Sequence, residues 1–138
     1  ISQHTTRAEL QRAVFEGLAY AIVDSLQGYP QGGELYLTGG GAASATWLQI
    51  IADCTGRTVV SSTFNELSAR GAAILAARSV DALSRYPALE QTRYRPHPQA
   101  HSRYVALYPV YRLLREQMLP VWHARREALQ RISQEQRI

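Results

Sequence analysis

Residues 37–60 read "LTGGGAASATWLQIIADCTGRTVV", with three consecutive glycines, Gly39, Gly40 and Gly41, between an apolar run and a segment of helical spacing. Upstream, Glu34-Leu35-Tyr36-Leu37-Thr38 has the β-branched and apolar content of a strand that runs straight into the glycines. Downstream, the spacing predicts a helix from about Ser44 to Cys54 that turns Trp47, Ile50 and Ile51 inward, and Thr55-Gly56 stops it. Arg57 to Ser62 then reads as a second strand. Strand, glycine turn, helix and strand in this order mark an α/β domain with parallel pairing.

The flanks extend the pattern. Thr6 with Glu9 three positions on forms a capping box, and Leu10, Ala13, Val14, Gly17, Leu18, Ala21 and Ile22 fall on one face of the helix that follows. That helix should end near Gly28, with Tyr29-Pro30-Gln31-Gly32-Gly33 as a turn. A third helix is expected from Glu66 to about Ser79, capped by Thr63 or Asn65. Its small residues Ala69, Gly71, Ala72, Ala73 and Ala76 invite close packing. Pro87, Pro96 and Pro98 point to an irregular connection over residues 81–101. From Ser102 to residue 138 the chain reads as helical again, with Tyr104, Leu107, Tyr108, Tyr111, Leu114 and Met118 at steps of three and four. Pro109 fits the first turn or so of that helix, and Pro120 should kink or interrupt it. The polar end, His123 to Ile138, is expected to fray.

Composition narrows the chemistry. The chain has 138 residues, 46% of them hydrophobic, which is one domain's length and enough for a core. Its single cysteine, Cys54, excludes an internal disulfide and a cysteine-rich zinc pattern. All 15 basic residues are arginine. Without lysine there is no Walker-type loop and no Schiff-base chemistry. Residues 1–90 hold six Arg against eight acidic residues, and residues 91–138 hold nine Arg against three Glu, so the positive excess belongs to the tail. No apolar run approaches the ~20 residues that cross a bilayer, and the first residues lack the order of a signal peptide. The expectation is a soluble, cytoplasmic chain with no membrane partner.

A strand followed by glycines and a helix N-terminus exposes backbone N–H groups at the positive end of the helix dipole, where a phosphate or flat base can approach closely. Gly39-x-Gly41-x-x-Ser44 falls one residue short of the dinucleotide fingerprint, and no acidic residue closes the second strand at Ser61-Ser62 to hold a ribose. A tight turn with no ligand is the simpler alternative. His4, His97, His101 and His123 are scattered, with no carboxylate or cysteine beside them in sequence, so no metal site is expected. Trp47 and Trp122 suit packing, and Cys54 suits an inert thiol. The Arg-rich tail with Tyr94, Tyr104, Tyr108 and Tyr111 leaves open an interaction module for nucleic acid or a partner protein, although an amphipathic helix with a solvated face explains it without a ligand.

Three blocks together go further: Ala13-Val14-Phe15-Glu16-Gly17; Gly39-Gly40-Gly41-Ala42 with Ser44, Trp47, Gln49 and Ala52-Asp53; and Glu66 with Ala69-x-Gly71-Ala72-Ala73. In this order and at these distances they resemble the C-terminal domain of the FGGY carbohydrate kinases, the xylulokinase, ribulokinase, gluconokinase and glycerol kinase relatives. The likeness covers about residues 1–79 well and the tail more loosely. Ile1, Glu9, Leu10, Ala13 and Glu16 fit the later positions of the family's second signature, whose leading glycines would lie before residue 1. The resemblance implies a piece of a longer kinase.

The resemblance further implies an actin-like, ribonuclease-H-like architecture, with parallel strands, packed helices and a helical C-terminal tail, that closes over ATP and a sugar. Residues 1–80 would be the nucleotide-binding part. Gly39, Gly40, Gly41 and Ala42 would lie against the adenosine and phosphates of ATP or ADP, and Ser44 would stand near the adenine or simply cap the second helix. Mg²⁺ would accompany the nucleotide, and the acceptor would be a ketose or polyol, a pentulose such as xylulose or ribulose foremost. The family's catalytic aspartate belongs to an N-terminal region, and neither Asp24, Asp53 nor Asp81 matches its motif. Asp24 and Asp81 suit solvated positions and Asp53 a structural one, while Glu16 and Glu66 suit hydrogen bonds to nearby main chain. The chain alone should be inactive. A homodimer and a dinucleotide-binding fragment stay open, and nucleic acid is not expected as a partner.

Overall fold

The computed structural model describes residues 2–30, 32–62, 66–79 and 89–135. Among the described residues, four helices and three strands follow one another as α1 (Arg7–Ser25), β1 (Leu35–Leu37), a 3₁₀ turn (Gly40–Ala43), α2 (Ala45–Thr55), β2 (Val59–Ser62), α3 (Leu67–Ser79), β3 (Gln91–Tyr94) and α4 (Pro98–Glu135). Contacts divide the chain into a unit Ile1–Tyr104 and a unit Val105–Ile138. The expected caps at Thr63 or Asn65, and Pro87 and Asp81, lie outside the described residues.

The first unit is built on a small mixed sheet in the order β1-β2-β3. β1 pairs parallel with β2, Leu35 opposite Val59 and Leu37 opposite Ser61, and α2 makes the crossover that parallel neighbours require. β3 adds antiparallel to the other edge of β2, with Val59 opposite Tyr94 and Ser62 opposite Gln91. Among the described residues parallel pairing joins only β1 and β2, and the stretch expected to be irregular contains a strand. β3 hides from periodicity because its four residues are mostly exposed and carry no apolar alternation. What makes it a strand is the open edge of β2.

The core sits between α2 and the sheet: Leu48, Ile51, Ala52 and Val59 are fully buried, with Ile22, Leu35, Leu37, Trp47 and Tyr94 packed around them. At roughly 1.5–3 kcal/mol for each large apolar side chain buried, this cluster is the main favourable contribution to folding of the unit. α1 lies against α2, where the rings of Phe15 and Trp47 meet at a centroid distance of 5.5 Å.

α1 starts as expected. Glu9 N–H donates to the Thr6 hydroxyl at 3.2 Å and Thr6 N–H donates to the Glu9 carboxylate at 2.7 Å, a complete capping box. Its buried face is the expected one only in part, for Ile22 packs on the core and Gly17 is half-buried. Leu10, Val14 and Leu18 are exposed, whereas Ala19 and Tyr20 are buried with Glu16 and Val23 half-buried beside them. The inward face therefore includes polar members, which an apolar count passes over. They are tolerated there because each finds a partner. Tyr104 OH donates to Glu16 Oε1 at 2.8 Å, Arg12 Nε donates to the same oxygen at 2.8 Å, and Tyr20 OH donates to the Tyr104 carbonyl at 3.1 Å. Glu16 thus bonds side chains from α1 and α4, not main chain as expected.

α3 buries none of its described residues, with Ala69, Ala72, Ala73 and Ala76 exposed and Gly71 half-buried. α4 starts at Pro98 rather than Ser102. Proline suits the first helical position because its missing N–H would have no acceptor there. Pro109 and Pro120 both lie inside α4, which runs to Glu135, so Pro120 does not interrupt the helix. From Val105 on, the described residues of the second unit all belong to this helix. Of its expected inward residues, Tyr108, Tyr111 and Met118 are half-buried and Leu107 and Leu114 are exposed. The rings of Tyr108 and Tyr111 stack on each other at 6.3 Å. Among the described residues no helix is long and apolar enough to cross a membrane.

Candidate functional site

The glycine segment occupies the connection from the C-terminal end of β1 to the N-terminal end of α2. Gly39 has φ 82° and ψ −169°, a region that glycine alone adopts readily. It bends the chain into the 3₁₀ turn, closed by Ala42 N–H donating to the Gly39 carbonyl at 3.0 Å. Ser61 Oγ donates to the Ala42 carbonyl at 3.4 Å and ties the turn to β2. Ser44 is the N-cap of α2: its hydroxyl accepts the Trp47 N–H at 3.3 Å. The five candidates Gly39, Gly40, Gly41, Ala42 and Ser44 therefore form one contiguous loop over the start of a helix.

The outside of this loop is bare main chain. A Cβ placed on Gly40 would meet nothing within 4 Å, and one on Gly41 would come only to 3.6 Å from Trp47 Nε1. Gly40 and Gly41 are not needed by the fold for want of space, and their φ angles are not in the left-handed region. Their lack of side chains opens the backbone to an incoming group. The positive end of α2 and the adjoining N–H groups favour an anion there.

A second polar cluster lies toward the other end of α2, and sequence reading missed it. Asp53, 6% exposed, accepts the His97 backbone N–H at 2.8 Å and Gln49 Nε2–H at 2.9 Å. The second hydrogen of Gln49 Nε2 goes to the Arg95 carbonyl at 2.9 Å. His97 Nδ1, 3.2 Å from Asp53 Oδ1, is thereby left to donate to the carboxylate. A carboxylate does stand beside a histidine, contrary to the expectation from sequence, because β3 and the start of α4 carry His97 back to α2. Gln49 and Asp53, four apart on one helix, were the local signal. Their partner 44 positions away was not. Among the described residues no group of three His, Cys, Asp or Glu side chains could hold a metal ion. An open cavity of about 390 Å³ flanks α2 here, lined by Arg12, Thr46, Gln49, Asp53 and Tyr94 and by none of the glycine loop.

Cys54 is buried, and that burial, followed by the nearby carboxylates of Glu16 and Asp53, pushes its thiol up to about 12. It stays protonated at neutral pH and is a poor nucleophile, as expected. Burial likewise pushes the Tyr20 and Tyr104 hydroxyls up to about 12. Glu66 is exposed, and its carbonyl accepts the Arg70 N–H at 3.0 Å.

Comparison with known proteins adds to this geometry. Residues 1–80 match the C-terminal domain of the FGGY family of carbohydrate kinases. A probable L-xylulose kinase of Pasteurella multocida is 31% identical over 116 residues, 80% of this chain and 24% of that protein. The xylulose kinase of Escherichia coli is 34% identical over 125 residues, 82% of this chain and 25% of that protein. The crystal structure of xylulose kinase from Rhodospirillum rubrum superposes with a TM-score of 0.73 at 28% identity, covering 89% of this chain and 27% of that one. The chain spans about a quarter of the length of these relatives.

Proposed function

Because the chain belongs to the FGGY family of carbohydrate kinases, we propose that it is the nucleotide-side portion of an ATP-dependent sugar kinase with actin-like architecture. Residues 1–80 form the nucleotide-binding part, and Gly39, Gly40, Gly41, Ala42 and Ser44 hold ATP or ADP. The acceptor is a ketose or polyol, and the names of the relatives favour a pentulose of the xylulose type. The observation that carries this reading is the bare glycine loop. It leaves backbone N–H groups open at a helix start, and no side chain of the fold needs the space.

Phosphoryl transfer asks a protein chiefly to position the reactants and stabilise charge. In this division of labour the loop N–H groups bind and orient the phosphate side of the nucleotide, and each charge-assisted bond contributes about 1.5–3 kcal/mol. Ser44 holds the start of α2 and so the direction of those N–H groups. Mg²⁺ supplies general shielding of phosphate charge in such reactions. Among the described residues no group of three His, Cys, Asp or Glu side chains stands ready to hold it. The proton of the attacking sugar hydroxyl is taken by a base outside this chain.

Calorimetry on the 138-residue chain tests the reading, with MgATP and MgADP against NAD⁺. Weak binding of the adenine nucleotides is expected, reduced at least about tenfold in Gly40→Val. The circular dichroism of that variant should be unchanged, since the added side chain enters open space. Equal affinity in Gly40→Val would reduce the loop to a structural turn, and binding of NAD⁺ would favour a dinucleotide site. Sugar phosphorylation by the chain alone would overturn the assignment of the base to another region.

A further inference from the structure

Two helix ends meet at Asp53. The last carbonyls of α2 lack intrahelical donors, and the first N–H groups of α4 lack intrahelical acceptors. The Asp53 side chain accepts the N–H of His97, the residue before Pro98, at 2.8 Å. Its negative charge lies against the positive end of the α4 dipole. In the other direction, His101 of α4 donates Nδ1–H to the Asp53 carbonyl at 2.9 Å, at the C-terminal end of α2. The His101 ring also covers Gly56, the left-handed C-cap of α2 at φ 67°: a Cβ there would fall 2.6 Å from the ring. One residue thus caps the start of α4 with its side chain while α4 caps the end of α2 at its carbonyl. Gln49 fastens the joint by bonding both Asp53 and the Arg95 carbonyl.

We propose that Asp53 is a positioning residue for the glycine loop, acting through this reciprocal capping. α2 is a rod of 11 residues, roughly 16 Å long. Its near end carries Ser44 and the 3₁₀ turn, and its far end is locked to the β3–α4 junction. Core contacts of Leu48 and Ile51 act as the pivot between the ends. Releasing the far end lets the near end tilt, and the loop N–H groups lose their fixed direction. The consequence for nucleotide affinity rests on the proposed function. The consequence for loop order does not.

The test compares Asp53→Ala, Asp53→Asn and Val59→Ala at a temperature where all three are folded, reading amide hydrogen exchange at Gly40–Ala43 and the Kd for MgATP. Asp53→Ala should speed exchange at the loop and weaken MgATP about tenfold, as a small misplacement of binding groups does. Asp53→Asn keeps an oxygen for the His97 N–H and should recover most of both. Val59→Ala trims the core cluster beneath the pivot but leaves every hydrogen bond of the joint in place, and should change the Kd less than Asp53→Ala does. If Asp53→Ala does not fold, His101→Ala removes the donor to the Asp53 carbonyl and should move loop exchange in the same direction. Loop exchange that stays at the wild-type rate in the folded variants overturns the proposal. A wild-type chain with no affinity for MgATP condemns the nucleotide reading instead, and loop exchange alone then decides the role of Asp53.

Discussion

α2 and α3 are both short helices rich in apolar and small residues, yet α2 buries six of its 11 residues and α3 none of its 13. The difference is contact with the core cluster over the sheet. α2 is the crossover between two paired strands, so the chain returns it to the sheet. α3 follows the last parallel strand, and its Leu75 is 68% exposed. α1 shows both conditions in one helix, Ala19 and Tyr20 buried and Val14 63% exposed. Hydrophobic periodicity reports that a face is suited to a partner, not that the same stretch of chain supplies one.

The comparison is broken most directly by truncating its buried side. Leu48→Ala should lower stability by about 2–5 kcal/mol in urea unfolding, the usual effect of opening a cavity under a fully buried leucine. A loss below about 1 kcal/mol would mean that α2 is not the centre of the core.

Alkaline titration sharpens it next. Cys54 rises from 9.0 to about 12, and Tyr20 and Tyr104 rise from 10.0 to about 12, with burial the largest cause in each. Each group is neutral while protonated, so the folded state holds these protons more tightly than the unfolded state. Their contribution is complete below the unfolded values and is lost as pH climbs through 9.0 toward about 12. The melting temperature should fall across that window, and Cys54→Ala should move the onset from near 9.0 toward the 10.0 of tyrosine. An unchanged onset would show that Cys54 is not held in an apolar setting.

The smallest effect belongs to α3. Leu75→Ser should change stability by no more than about 0.5 kcal/mol, and sedimentation should detect no new species. A loss above about 1 kcal/mol would give α3 a partner in solution and erase the contrast with α2.

Features decided within a few residues were legible in the sequence. The Thr6–Glu9 box, the Ser44 cap and the stop at Thr55-Gly56 each depend on neighbours along the chain, and all three appear where the local chemistry puts them. The glycine loop was legible as a place, since only a strand-to-helix turn calls for such a run. What failed depended on distance. β3 exists because β2 has an open edge, and nothing in Gln91–Tyr94 announces it. The polar members of α1's inward face escape an apolar count because Glu16 and Tyr20 are made tolerable by Tyr104, more than 80 positions away. Pro98, which by composition belongs to an irregular connection, is the first residue of α4. The Asp53–His97 contact needs both β3 and the turn after it before it can form.

The lone thiol supplies a clock for the same helix. Cys54 is buried at the C-terminal end of α2, and the chain has no other cysteine. A thiol-labelling reagent therefore reacts at one place only, and only when that place opens. Its rate in native buffer measures how often the end of α2 comes away, without any engineered probe.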